Sequence, residues 1–269
     1  MPTVEELYGE LWAENEAFRA ELDRSLDPRP AESLYDAFGE LGVNAGDLVL
    51  DVGCRDAKQS VDLVRRFGCR VIAADPVPRH LERARERVAD EGVQDRVTVL
   101  EAAIESLPLE DGSVDYVWCR DVLNHVRLPE ALSECVRVLR PGGRMLVYQT
   151  FVTDLCEPGE ARRLWSAMAI VPENMSRPHF EQTADKAGFE IAAVDEIDSE
   201  WRESWLEAGD RHTVDLLLRA ARLRRREAEL VARYGRDRYE AALGGAVWGV
   251  YQLLGKLCPT VYVLARRDG

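Results

Sequence analysis

Apolar residues recur at helical spacing near the start of the chain: Val4, Leu7, Tyr8, Leu11, Trp12, Phe18 and Leu22. That pattern predicts one amphipathic helix over 4–25. The run DPRPAE at 27–32 ends it, because each proline fixes φ and removes a backbone donor. A second, short helix follows over about 33–40. From Leu48 the rhythm changes. Compact apolar runs at 48–52, 70–75, 97–102, 115–119 and 144–151 alternate with helical stretches at about 58–67, 78–91, 121–126 and 129–139. Continuous apolar runs suit strands covered on both faces. Their alternation with helices predicts a doubly wound parallel sheet. Past 151, helices at 159–169 and 177–188 lead to a sixth strand at 189–197, a mostly helical stretch at 199–255 and a last strand at 260–267.

The expected fold is therefore α/β: a doubly wound, mostly parallel seven-stranded sheet with helical additions at the N-terminus and between the last two strands. The segments read as an N-terminal helical cap (1–42), a core (43–198), a helical insertion serving as lid or dimer element (199–255), and the last core strand (256–269).

Composition narrows the partners. The chain has 269 residues and a formal net charge of −14, with 46% hydrophobic and 31% charged residues. That is an ordinary globular balance with enough apolar surface for a core. An acidic chain is poorly suited to nucleic acid or to an anionic membrane surface. The N-terminus lacks the basic and apolar regions of a signal peptide. The apolar stretch at 241–255 is too short to span a bilayer. Six scattered cysteines without a C-x-x-C pair read as reduced thiols of a cytoplasmic protein, and the four histidines show no metal-ligand spacing.

An open parallel sheet binds ligands at the carboxyl ends of its strands, near the reversal of strand order. The first strand ends in Asp51, Gly53 and Cys54, and the second ends at Asp75. A carboxylate at the second position commonly accepts hydrogen bonds from the ribose of an adenosine cofactor. The simpler reading is an aspartate capping the next helix.

Later segments sharpen this. D-V-G-C ends the first strand, L-P-x-x-D-G-S-x-D precedes the fourth, L-N-H-V follows it, and R-V-L-R-P-G-G precedes the fifth. In that order, over about 48–151, the chain resembles class I S-adenosylmethionine-dependent methyltransferases of the small-molecule type. The resemblance implies that Asp51 and the Gly53–Cys54 backbone line the methionine end of S-adenosylmethionine. Asp75 would hold the ribose, with Pro76 beside the adenine and Ala103 and Ile104 at its edge. Cys119 and Arg120 would lie next to the sulfonium, and Asn124 and His125 would face the methyl group or the substrate.

Two positions depart from the family pattern D-x-G-x-G-x-G: Arg55 and Ala57 stand where glycines are usual. A third is Ala103, where an aspartate usually faces the adenine amine. Arg55 either pairs with a nearby carboxylate such as Asp56, stays solvated, or grips the cofactor's carboxylate as a planar bidentate donor.

Methyl transfer is an in-line displacement in which the protein supplies position and a dry pocket. His125 is the candidate general base, since histidine titrates near neutrality; the alternative is a histidine that orders its loop or touches the cofactor without proton transfer. Tyr148 and Gln149, near the end of the fifth strand, are candidate acceptor contacts, with packing as the alternative. The segment S-E-W-R-E at 199–203 is a candidate lid around Trp201, or simply a helix start with Ser199 as N-cap. Five arginines within 219–226 read as a solvated or dimer-facing surface.

The expected function is methyl transfer to an oxygen or nitrogen of a small metabolite. The alternative is a methyltransferase fold that does not transfer methyl, cyclase-like or non-catalytic. A nicotinamide enzyme would need G-x-G-x-x-G after the first strand, which GCRDAK lacks.

Overall fold

The computed structural model describes residues 1–11 and 15–267. Seven strands form one sheet: β1 (Leu48–Val52), β2 (Arg70–Asp75), β3 (Val97–Glu101), β4 (Val114–Arg120), β5 (Leu139–Val152), β6 (Phe189–Glu196) and β7 (Leu257–Arg266). Their order is β3-β2-β1-β4-β5-β7-β6. The first five run parallel, and β7 is antiparallel to both β5 and β6. The strand order reverses at β1 and β4, so the carboxyl ends of β1, β2 and β4 meet at one edge.

The apolar runs are buried on both faces, as their continuity predicts: Val49, Leu50, Val117 and Trp118 are all fully enclosed. Helices α4 (Lys58–Phe67), α5 (Pro78–Asp90), α6 (Leu128–Val138) and α8 (Arg177–Ala187) cover the sheet. α3 (Ser33–Gly39) inserts Leu34, Tyr35 and Phe38 beneath β1 and β4. There Tyr35 stacks on Trp118 at 5.1 Å, and Phe38 meets the same indole edge-on at 5.2 Å.

The N-terminal helix expected over 4–25 is broken. α1 (Val4–Glu6) opens with a capping box from Thr3, a π-helical turn follows at Leu7–Leu11, and α2 (Glu16–Leu22) starts again from an Asn15 cap. Val4, Tyr8, Leu11, Phe18 and Leu22 are exposed, so the apolar stripe does not pack on the sheet. Trp12 lies outside the described residues.

Between β6 and β7 the chain forms α9 (Glu200–Glu207), α10 (His212–Arg225), α11 (Glu227–Tyr234) and α12 (Arg236–Leu253). α10, α11 and α12 join α7 (Pro158–Met168) around a separate apolar core that includes Trp165, Tyr239 and Leu243, whereas Trp201 of α9 belongs to the core that holds Tyr35 and Trp118. Gly244 permits the close approach of α12 to α7, since a Cβ there would lie 3.1 Å from Ala167 Cβ. Among the described residues, no helix is long and apolar enough to cross a membrane, and no cluster of His, Cys, Asp and Glu could hold a metal ion. All six cysteines are buried free thiols.

Candidate active site

The turn from β1 into α4 builds the centre of the site. Asp51 is 3% exposed and accepts a hydrogen bond from the Ser60 hydroxyl. Burial pushes its carboxyl up to about 7; the Ser60 bond opposes the rise and the charge of Asp75 adds to it. Gly53 follows at φ +69°, and a Cβ there would stand 2.3 Å from Val122 Cγ2. Its N–H and that of Cys54 both donate to the Ala74 carbonyl, at 2.8 and 3.0 Å, which ties the turn to the end of β2.

Arg55 and Ala57 have φ of 54° and 57°. They hold the left-handed conformation that glycine adopts most easily, at a cost of roughly 1–2 kcal/mol each. The departure from the glycine-rich pattern is thus one of side chains; the backbone still turns through left-handed positions. Asp56 is taken by Arg87, whose guanidinium donates to its carboxylate at 2.6 Å and to its carbonyl at 2.9 Å. Arg55 therefore does not pair with Asp56, and its side chain faces the insertion helices.

Asp75 closes β2 almost wholly buried, at 5% exposure. One carboxylate oxygen accepts from Arg55 N at 3.0 Å. The other accepts from Val77 N at 2.9 Å and lies 3.1 Å from His80 Nδ1. Two carboxylate oxygens offer about four acceptor positions, so capacity remains for a ligand hydroxyl. The aspartate steadies both its own turn and the turn after β1. Beside it, a cavity of about 50 Å³ is lined by Gly53, Pro76, Ala102, Ile104 and Val122, among others. Ala103 lies outside that lining; its carbonyl accepts from Ser106 N at 3.0 Å.

At the end of β4, Cys119 is fully buried and its thiol is held well above its ordinary range by desolvation. Arg120 is half-buried, 5.6 Å from the Tyr148 ring and 5.5 Å from the Trp201 ring. Those rings stack at 4.7 Å with a 4° interplanar angle. Trp201 is buried at the start of α9. Its neighbour Glu200 is clamped by Arg29 through Nε at 2.7 Å and Nη2 at 2.8 Å. The 199–203 segment is thus a packed helix start, with Ser199 at the N-cap position but bonded through its hydroxyl to Glu203.

In the turn after β4, Asn124 is buried. Its amide nitrogen donates to the Thr150 carbonyl at 3.0 Å and lies 2.9 Å from Met175 Sδ, so it braces this turn against β5. His125 is exposed, with Nδ1 3.2 Å from the Ala169 carbonyl. A proton on Nδ1 then satisfies that contact and leaves Nε2 as an acceptor. On β5, Tyr148 and Gln149 point to opposite faces. Gln149 is fully buried, and its amide donates to the Asn174 carbonyl at 3.2 Å.

Three further residues shape the site: His80, which reads from sequence as an exposed helix residue and is half-buried, and Asn174 and Asp121, which the sequence pattern does not single out. His80 touches Asp75. Asn174 brackets the β4 turn by donating to the carbonyls of Leu123 and Val126 at 2.7 and 2.8 Å. Asp121 occupies a left-handed position at φ 56°. The proline-flanked helix start at Pro76–Pro78 was the available signal for His80; Asn174 had none.

The comparisons agree with this architecture. A methyltransferase-domain family model matches residues 50–147. The chain is 31% identical over 188 residues to methyltransferase GfsG of Streptomyces halstedii, a match covering 66% of each chain and so slightly less than two thirds of that relative. In fold it is similar to geranyl diphosphate C-methyltransferase from Streptomyces coelicolor A3(2), solved with Mg2+, geranyl diphosphate and S-adenosyl-L-homocysteine (TM-score 0.65, 16% identity, 88% of this chain and 77% of that one). It is also similar to the [4+2]-cyclase SpnF (TM-score 0.66, 20% identity, 89% of this chain and 82% of that one). The switch-point carboxylates Asp51 and Asp75, the left-handed turn between them and these matches lead to one assignment: the chain belongs to the class I S-adenosylmethionine-dependent methyltransferases.

Proposed function

We propose that the protein transfers a methyl group from S-adenosylmethionine to an oxygen or nitrogen atom of a small molecule. The observation that carries this is the pair of buried carboxylates, Asp51 and Asp75, at neighbouring strand ends, joined by a turn whose N–H groups are already ordered. Asp75 has acceptor capacity left for the ribose hydroxyls. Asp51 suits the ammonium of the methionine end, because a cation beside a buried carboxyl restores its charged form. The Gly53–Cys54 backbone and the Arg55 guanidinium are assigned to the same end, Arg55 to the carboxylate. Pro76 and Ile104 flank the adenine slot, with Ala103 at its rim; Cys119 and Arg120 border the reacting centre.

Bound there, the cofactor would supply a methyl group activated for displacement on a sulfonium. The protein positions the acceptor and excludes water. His125 Nε2 is the acceptor for a departing proton where one must leave. Tyr148 and Trp201 form an aromatic wall on the acceptor side, with Asn124 and Gln149 ordering the strand ends from within.

A second reading, the same fold without methyl transfer, draws on the likeness to SpnF. Release of S-adenosylhomocysteine during incubation with candidate acceptors separates the two. Transfer is expected, and Asp75→Ala is expected to abolish it by removing the ribose contact. Cofactor binding without product for any acceptor class favours the second reading. A His125→Ala variant with full turnover across pH removes the base assignment.

A further inference from the structure

Positive charge is gathered in one place on this acidic chain. A cavity of about 760 Å³ opens between the turn after β1 and helices α9 to α12. Its walls carry Arg55, Arg202, Arg219, Arg222, Arg226 and His212, and no aspartate or glutamate lines it. The chain's net charge is −14, so a cavity lined by five guanidinium groups and by no carboxylate is a local inversion of sign. The arginines at 219–226 are exposed, in keeping with a solvated surface, and three of them, Arg219, Arg222 and Arg226, also line this open cavity.

Most of that charge is not neutralised internally. Arg226 pairs with Glu229. Arg55, Arg219 and Arg222 make no ion pair among the described residues. Arg202 spends Nε and Nη2 on the neutral Gln252 Oε1, at 2.9 and 2.6 Å, while its Nη1 is buried with no hydrogen-bond partner. Gly249 makes the room for that guanidinium: a Cβ there would lie 2.9 Å from Arg202 Cζ. A buried donor left without an acceptor is unfavourable, and guanidinium groups match carboxylate and phosphate oxygens in bidentate geometry. The remaining wall is apolar, from Leu216, Leu223 and Trp248.

The cavity also touches the proposed reaction centre. Arg55 belongs to the turn after β1. Arg202 follows Trp201, which stacks on Tyr148, and Gln252 continues from Arg202 to Thr150 Oγ1 at 3.4 Å. We infer that the cavity takes the methyl acceptor, and that this acceptor is an organic anion, a carboxylate or phosphate ester with an apolar body. Its head meets Arg202, Arg219 and Arg222, and its body lies against Leu216, Leu223 and Trp248. The assignment rests on the methyl-transfer reading only in naming the occupant as acceptor; the anion site stands on the cavity itself.

Isothermal titration with hexyl phosphate, hexanoate and neutral hexanol tests it, with S-adenosylmethionine titrated into the same samples. Hexyl phosphate or hexanoate is expected to bind at least about tenfold more tightly than hexanol, and more weakly as salt rises; whichever anion binds better identifies the head group. The double variant Arg219→Gln/Arg222→Gln is expected to lose about tenfold or more in anion affinity. Arg225→Gln, which removes a charge from the same helix outside the cavity wall, is expected to lose almost none. Equal binding of hexanol, no binding of either anion, or an unaffected double variant overturns the inference. Failure of S-adenosylmethionine to bind while the anion response persists overturns the methyl-transfer reading and leaves the anion site standing.

Discussion

Cofactor binding should expel a proton from Asp51. The carboxyl is 3% exposed, and burial holds its pKa near 7, about three units above an ordinary aspartate. Without cofactor, about nine in ten of these carboxyls are protonated at pH 6 and about one in ten at pH 8. An ammonium placed within about 4–6 Å lowers a carboxyl by about 1–3 units. Taking two units, binding at pH 6 releases about 0.8 proton, and affinity rises about tenfold between pH 6 and pH 8. Titration calorimetry at pH 6 in buffers of unlike ionisation enthalpy reads the proton count from the slope of the observed heat. Asp51→Asn should flatten that slope. A wild-type slope of zero at pH 6, or the same slope in Asp51→Asn, refutes the placement of the ammonium. The same group sets a stability trend. Its folded pKa lies above its unfolded one, so the folded state holds the extra proton between about pH 4 and 7. Stability from this group is therefore present at low pH and is lost as pH rises through that window, by at most about 4 kcal/mol. Thermal melts of the cofactor-free protein against pH check the sign.

Three further outcomes follow from single contacts. Gly53→Ala combines a left-handed backbone with a Cβ 2.3 Å from Val122 Cγ2; the expected loss is about 2–5 kcal/mol in a denaturant melt, and adding Val122→Ala should recover the steric share. Arg55→Gly relieves a left-handed arginine and should leave stability unchanged or raise it by about 1 kcal/mol, while calorimetry shows weaker cofactor binding; unchanged or tighter binding removes Arg55 from the site. Asn174→Ala strands the carbonyls of Leu123 and Val126 and should cost about 2–4 kcal/mol, with loss of transferase activity as the His125 turn loosens.

Much of the candidate site's placement was legible because a parallel sheet gathers its strand ends at one edge. Asp51, Gly53, Asp75, Pro76 and Ile104 are far apart in sequence, yet each closes or follows a strand whose apolar run is unmistakable. β1 and β2 coincide with their runs, Leu48–Val52 and Arg70–Asp75. β5 starts earlier than its run, at Leu139, because Leu139 pairs with Val114 before a register shift, with pairing resuming at Tyr116 and Arg144 past the Pro141–Gly143 segment. The N-terminal stripe misled for a physical reason: helical spacing states which face is apolar, and nothing in it states that a partner surface exists. The arginines of α10 read as a solvated or dimer-facing surface and are exposed, but the cavity that two of them line was not legible. Their helix does bury Ala220 and turn Leu223 inward, but α12 stands far enough across to leave a cavity that Arg219 and Arg222 reach. The distance between two helices is a property of their packing, and no periodicity encodes it.

A crystal structure with S-adenosylhomocysteine tests the assigned cofactor site most directly. The ribose hydroxyls should hydrogen-bond to the Asp75 carboxylate, with the adenine against Pro76 and Ile104 and the amino-acid end over the Gly53–Ala57 turn. Soaked crystals showing that turn empty, or the nucleoside bound away from Asp75, would contradict it.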